Sequence, residues 1–249
     1  MNESGTVNAV QKSIDILKVL RDNGSSRVTD IADSLDLSKS SVHKHLKTLQ
    51  AGGLVVKSDN RYRISYKVLG YIEPLENSKL YTLAELTIDK LGEETGELVV
   101  FAIQEQTKGV FIISRNDKYG FTKSLKGNQF YLHQNATGKA ILAQCTNDEI
   151  QTIIDKEGLP TATENTIDDP ARLLEDITET RKRGYATNEQ ERNEFQSVAT
   201  GFVDPSSNIK AAISIGGPPK RLSMEALEDK YLDTLLGAVN ELEIQLKYG

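Results

Sequence analysis

The fold turns on the reading of Thr29-Asp30-Ile31-Ala32-Asp33-Ser34-Leu35-Asp36-Leu37-Ser38-Lys39-Ser40-Ser41-Val42-His43-Lys44-His45-Leu46-Lys47-Thr48-Leu49-Gln50. It reads as two short helices joined by a tight turn. Val42, Leu46 and Leu49 fall at i, i+4 and i+7, an apolar stripe that must pack on something. Lys39, Ser40, Ser41, His43, Lys44 and Lys47 take the remaining faces, and all can reach phosphates or base edges. Ser38 stands where an N-cap belongs, just after the apolar Leu37. A helix-turn-helix whose second helix enters a DNA groove has this layout. An ordinary helical hairpin with a solvated basic face shares it, so the flanking chain must separate the two.

Upstream, Val10, Ile14, Leu17 and Leu20 recur at helical spacing, which predicts an amphipathic helix over residues 8 to about 22. Asn23-Gly24 ends it. The next helix runs from about Val28 to Leu35 and should bury Val28, Ile31, Ala32 and Leu35. Asp30 and Asp33 suit the positive end of its dipole. Downstream of Gly52-Gly53, residues 54–64 alternate on both sides of Asp59-Asn60. This β-hairpin signal has Arg61 and Arg63 on one face of the returning strand. Three helices and a small basic hairpin make a winged helix-turn-helix, and a solvated helical hairpin has no reason to be followed by an arginine-bearing wing. Residues 65–78 read as a helical connector with Tyr66, Leu69 and Ile72 on one side, broken by Pro74 and Asn77-Ser78. This places domains at 1–75 and 76–249.

Leu83, Leu86, Ile88 and Leu91 then mark a helix ending before Gly96. Leu98–Ile103 and Val110–Ile113 look like an antiparallel pair, and residues 121–125 like a further strand. Helices are expected over 137–144, after Asn135, over 149–156, and from Asp169-Pro170 to Gly184. Strands over 197–203 and 210–215 follow. A closing helix carries Met224, Leu227, Tyr231, Leu235, Val239, Leu242 and Leu246 on one stripe. Sequential strands in tight loops with covering helices give an α+β domain.

The 249 residues are 38% apolar and 27% charged, an ordinary soluble balance. A single cysteine, Cys145, rules out an internal disulfide and points to an intracellular site. No apolar run approaches the roughly 18 residues of a membrane span. The polar N-terminus lacks a signal-peptide layout, so a cytoplasmic location and no membrane partner are expected. The net charge of -6 is unevenly spread. Residues 1–70 carry 11 Lys and Arg against 7 Asp and Glu, and the remainder 19 against 29. A basic module on an acidic body fits DNA binding by the former.

With these pieces in order, the chain resembles the IclR family of transcriptional regulators over nearly its full length. Residues 9–17 look like that family's opening helix and residues 37–46 like its recognition helix. Leu132-His133-Gln134-Asn135-Ala136-Thr137-Gly138-Lys139-Ala140-Ile141-Leu142-Ala143 is similar to its most distinctive effector-domain motif, and residues 180–186 and 211–218 complete the match. The resemblance implies a winged helix-turn-helix joined by a helical linker to a GAF-like domain. That domain would bind a small organic acid, and the chain would assemble into homodimers or homotetramers. It also implies effector contacts at Ala136, Thr137, Asn188, Ser197 and Ser214. The first two sit at a helix N-terminus, a ready anion site. Three positions depart from the commoner pattern: Asn188 where Asp is frequent, Ser197 where Cys is, and Gly216 where a second Ser is.

On this reading a dimer places two recognition helices in successive major grooves of a near-palindromic operator. Ser38, Lys39, Ser40, Ser41, His43, Lys44 and Lys47 face the DNA, and Arg61 and Arg63 reach a flanking phosphate or the minor groove. A DNA-bound architectural protein with no ligand is one alternative. An enzyme is another, but its only tempting groups are His133, Lys139 and Cys145, with no acidic partner at a telling spacing. His43 and His45, two apart on a helix, diverge and hold no metal. No cofactor and no catalytic residue are expected.

Overall fold

The computed structural model describes residues 5–115, 125–192 and 195–249. The chain divides into two units, Met1–Asn77 and Ser78–Gly249.

In the first unit, α1 (Asn8–Asn23), α2 (Val28–Leu35) and α3 (Lys39–Ala51) are followed by the hairpin of β1 (Val55–Ser58) and β2 (Arg61–Ile64). Ile16, Leu20, Ile31, Ala32, Val42, Leu46, Leu49, Val55 and Tyr62 form its core. The predicted α1 stripe holds in its second half, where Leu20 is buried and Leu17 packs partly buried on the core, and fails in its first. Ile16 and Leu20 are buried, whereas Val10 and Ile14 are 55% and 43% exposed. Two apolar sets share that helix at nearly the same period, and spacing alone does not say which one faces inward. Asp36 closes α2 in the left-handed region (φ 49°). Ser38 Oγ caps α3 by accepting from the Ser41 N–H at 3.2 Å. Asp59 and Asn60, with φ of 46° and 63°, form the tight turn of the hairpin. Tyr62 exchanges backbone hydrogen bonds with Ser26, tying the wing to the loop before α2.

A 3-10 turn at Tyr66–Val68 runs into α4 (Leu69–Glu76). Pro74, expected to break this segment, lies inside the helix. Only the single bond from residue 74 to the Gly70 carbonyl is forfeited, and the Asn77 N–H still reaches the Glu73 carbonyl at 2.9 Å.

The second unit opens with α5 (Lys79–Thr95) and the hairpin of β3 (Leu98–Glu105) and β4 (Lys108–Arg115). A two-residue strand, β5 (Gln129–Phe130), precedes α6 (Ala136–Ala143), α7 (Asn147–Glu157) and α8 (Pro170–Arg183). Then come β6 (Ala186–Glu189), β7 (Gln196–Val203), β8 (Lys210–Gly217) and α9 (Met224–Tyr248). The strands form one antiparallel sheet in the order β5-β4-β3-β8-β7-β6. Strand alternation splits the core in two. Val99, Phe101, Ile213 and Ile215 face α5 and α9, while Val100, Ala102, Ala199 and Ala212 face α6, α7 and α8. Helices on both faces of the sheet give the α+β class expected.

On α5, Ile88 and Leu91 of the predicted stripe are buried together with Leu80 and Ala84, and Leu83 packs partly buried on the same core, whereas Leu86 is exposed. The two short strands β5 and β6 have no sequence signal. Of the strand expected over 121–125, residues 121–124 lie outside the described residues. The α9 stripe stands as predicted, with Leu227, Tyr231, Leu235, Val239, Leu242 and Leu246 all buried. The start of α6 packs tightly on the 3-10 turn Leu132–Gln134. A Cβ on Gly138 would collide with the Leu132 carbonyl, so only glycine allows this approach.

Candidate functional site

Two regions collect the residues singled out above, one in each unit. In the first unit, the turn after α2 and the Ser38 cap fix the start of α3. Burial of Val42, Leu46 and Leu49 then fixes its rotation. Lys39, Ser40, His43, Lys44 and Lys47 are consequently exposed together, and Ser41 is half-buried. His45 sits between the two faces, its Nδ1 2.9 Å from Ser13 Oγ on α1. Ser38, also exposed, spends its hydroxyl on the cap.

The wing arginines are held by their own unit. Arg61 donates from Nε to Ser25 Oγ at 3.1 Å and from Nη2 to the Ser25 carbonyl at 2.9 Å. Arg63 donates to the Ile64 carbonyl at 3.0 Å and stacks 4.9 Å from the Tyr66 ring. Both are pre-positioned, with fewer donors left to offer than the sequence suggests.

In the second unit, a cavity of about 230 Å³ opens between the sheet and the N-terminus of α6. Its apolar wall includes Leu98 and Val100 of β3 and Phe111 of β4, and its polar wall includes Asn135, Thr137, Asn188, Ser197 and Ser214. Four of the five predicted effector residues therefore line it. Ala136 does not; its side chain is fully buried in the core under α6. The first amide groups of a helix have no partner within it, and here they belong to Ala136 and Thr137. Asn135 caps the helix, its Oδ1 accepting from the Gly138 N–H at 2.8 Å. Its Nδ2 is buried without a hydrogen-bond partner. Thr137 Oγ1 donates to Ser214 Oγ at 2.9 Å across the cavity wall.

Asn188 is only 3% exposed, and its amide is largely committed to its own loop. Nδ2 donates to the Phe195 carbonyl and Oδ1 accepts from the Glu191 N–H. Gly216 pairs with Ser197 across β7 and β8. A Cβ there would lie 2.6 Å from the Gln196 carbonyl, so the missing second serine reflects close strand approach.

Sequence reasoning misses Arg192, which also lines the cavity. It lies three residues beyond the end of β6, in a polar, charged run that reads as a solvated loop. In a flat sheet β6 and β4 would be four spacings apart, roughly 19 Å at about 4.8 Å each. Yet its guanidinium lies 5.7 Å from the Phe111 ring on β4 and 5.8 Å from the Phe130 ring on β5. The segment after β6 thus turns back over the cavity, above a curled sheet. Burial lowers the guanidinium pKa from its ordinary value. Among the described residues no carboxylate pairs with it.

The groups that invite a catalytic reading are committed elsewhere. Lys139 is 1% exposed, with Nζ 2.6 Å from Glu191 Oε1 and 3.4 Å from Asp176 Oδ2. Burial, partly offset by Lys139, holds the Glu191 carboxyl above its ordinary value. His133 Nε2 lies 3.1 Å from the Pro160 carbonyl, and burial lowers its pKa, leaving it neutral at pH 7. Burial pushes the Cys145 thiol up to about 11. At pH 8 it is therefore protonated, and a colorimetric disulfide reagent should titrate it only after denaturation. Rapid reaction in the native protein would contradict the buried placement. No group of three or more His, Cys, Asp or Glu suited to a metal occurs among the described residues. Among those residues, no helix is long and apolar enough to cross a membrane.

Residues 72–243 match the family described as bacterial transcriptional regulator IclR C-terminal, and residues 9–59 match the IclR helix-turn-helix domain. The chain is 29% identical over 254 residues to HTH-type transcriptional regulator BhcR of Paracoccus denitrificans, covering 99% of this chain and 88% of that protein. It is 27% identical over 256 residues to transcriptional repressor IclR of Escherichia coli, covering 99% and 92%. HTH-type transcriptional repressor AllR of Escherichia coli is 30% identical over 231 residues, covering 90% and 83%. Among solved structures, IclR of Thermotoga maritima superposes with a TM-score of 0.79 at 27% identity, covering 97% of this chain and 99% of that one.

Proposed function

Given that the chain belongs to the IclR family of DNA-binding transcriptional regulators, which are not enzymes, we propose that it binds a near-palindromic operator as a homodimer or homotetramer. A small organic acid, bound in the cavity of the second unit, sets the affinity. The DNA half rests on α3. Its buried stripe leaves one continuous exposed face, on which Ser40 and His43 are flanked by Lys39, Lys44 and Lys47. Ser40, Ser41, His43 and Lys44 approach bases and phosphates, and Lys39 and Lys47 approach the backbone. Arg61 and Arg63 hold the wing against a flanking phosphate or the minor groove. Ser38 contributes by capping the helix whose first turn meets the DNA.

The effector half rests on the buried, unpartnered Asn135 Nδ2 beside the first amides of α6. Donors without acceptors at a helix N-terminus favour an anion. Ala136 takes part through its backbone amide, Thr137 through amide and hydroxyl, and Ser197 and Ser214 through hydroxyls. Asn188 acts by shaping the loop. A ligand that favours one arrangement of the assembled effector domains changes operator affinity by its differential binding, about 5- to 150-fold for an ordinary coupling.

The test is selection of bound fragments from genomic DNA, then titration of the selected operator with the full chain. Carboxylates that bind by calorimetry should shift operator affinity several-fold. Binding carboxylates that leave it unchanged would point instead to a DNA-bound architectural regulator. Absence of any sequence preference would overturn the operator reading.

A further inference from the structure

We propose that the cavity selects an acid with two anionic groups joined by a hydrocarbon spacer, one end held at the start of α6 and the other by Arg192. This rests on the reading of the cavity as an organic-acid effector site and narrows it. Two independent features supply the ends. At the first, the Ala136 and Thr137 amides begin α6, and Asn135, 8% exposed, places an unpartnered Nδ2 beside them. At the second, Arg192 contributes a half-buried guanidinium to the same lining, resting over the Phe111 and Phe130 rings.

A guanidinium is a planar fork matched to a carboxylate, and it is costly to desolvate when nothing negative faces it. An anion entering the cavity removes that cost, whereas a neutral group of the same shape does not. A monoacid satisfies one end and leaves the other as it is. The same lining also carries the apolar Leu98, Val100 and Phe111, which suits a hydrocarbon spacer. At about 230 Å³ the cavity falls below the range for drug-sized ligands, so the acid is a small metabolite.

The rival account makes Arg192 a lid residue that covers aromatic surface with its stem and turns its head to solvent. Calorimetry on the full-length protein separates the two. The probes are the straight-chain dicarboxylates from malonate to pimelate and the three benzenedicarboxylates, each paired with the monocarboxylate of equal carbon number. The proposal expects at least one diacid to bind roughly tenfold or more tightly than its partner, the worth of one charge-assisted hydrogen bond. In R192Q that ratio should fall to about one, and in R192K it should be partly restored, since lysine keeps the charge but not the fork. Thermal melts establish that both variants fold.

Equal binding of diacids and monoacids by the unaltered protein would overturn the two-ended site while leaving the organic-acid reading intact. So would a ratio that survives R192Q. If no carboxylate of either kind binds, the organic-acid reading itself falls, and this inference with it.

Discussion

Replacing Lys139 with methionine lowers the stability of the effector unit by about 3–5 kcal/mol, the usual consequence of leaving buried charges without their partner. Lys139 is the only cation within ion-pair distance of Glu191 Oε1 among the described residues, and it also meets Asp176 Oδ2. Glu191 is 7% exposed, and both its Oε2 and Asp176 Oδ2 lack hydrogen bonds. Methionine fills most of the volume of lysine but neutralises neither carboxylate. For a unit of this size the melting temperature should fall by ~10 °C.

The sign of the pH dependence identifies the cause. Burial already holds the Glu191 carboxyl above its ordinary value of about 4.3. Removing Lys139 takes away the interactions that pull it down and raises it further. An acid with a raised folded pKa binds its proton more tightly when folded, so protonation stabilises the fold. The K139M deficit should be greatest near pH 8 and shrink as the pH falls towards 5. Replacing Lys139, Glu191 and Asp176 together with apolar residues should recover much of the deficit. A K139M protein within about 1 kcal/mol of the parent at every pH, by chemical denaturation, would show that the triad carries no net stabilisation.

This triad shows what the linear sequence can carry and what it cannot. Helix caps and turns depend on neighbours a few residues apart. Ser38, Asn135 and Asp169 are therefore readable as N-caps, and each accepts from an amide three residues on. The α9 stripe is readable because it repeats over six turns. Spacing carries the α1 stripe on to Val10 and Ile14 and the α5 stripe to Leu86, all exposed, because apolar residues beside the packed face share a similar period and the choice depends on what packs against it. Strands β5 and β6, two and four residues long, owe their existence to the neighbouring strand. Pro74 lies inside α4 despite the lost bond and the clash of its ring with the carbonyl four residues back, a cost the local sequence cannot weigh against what the rest of the helix gains.

For the cavity, the helix N-terminus and the facing serine come from local motif, and four of the five predicted effector residues line it. Arg192 and the pairing of Lys139 with Glu191 depend on sheet order instead. The two members of that pair are 52 positions apart. They meet only because the segment after β6 folds back across the face that carries α6. A charged loop residue gives no local sign that it will be roofed over an apolar wall. The same pairing ties α6 to the segment bearing Arg192, so the two ends of the proposed ligand site are braced against each other.

On the DNA side, the alanine triple K39A/K44A/K47A should weaken binding to operator and unrelated DNA alike. The exposed arc of α3 follows from about 100° of rotation per residue. His43, Lys47 and Ser40 fall between Lys39 and Lys44 on that arc, and all three lysines have the reach to meet phosphates on the groove walls. Each phosphate neutralised releases condensed counterions, contributing about 0.9 to the slope of log affinity against log salt. Removal of three lysines therefore flattens that slope by roughly three per protomer and lowers affinity on the order of a hundredfold at low salt. The pair S40A/H43A should behave differently. This pair removes no lysine or arginine, so the salt slope stays nearly constant, while the preference for operator over unrelated DNA falls by about 1–3 kcal/mol for each base no longer read. Fluorescence anisotropy titrations at four salt concentrations, on both DNAs, measure slope and preference together. If the triple loses preference but keeps its slope, lysines read the bases. If neither variant changes either quantity, the DNA lies on another face of the unit and the buried stripe of α3 has been given the wrong partner.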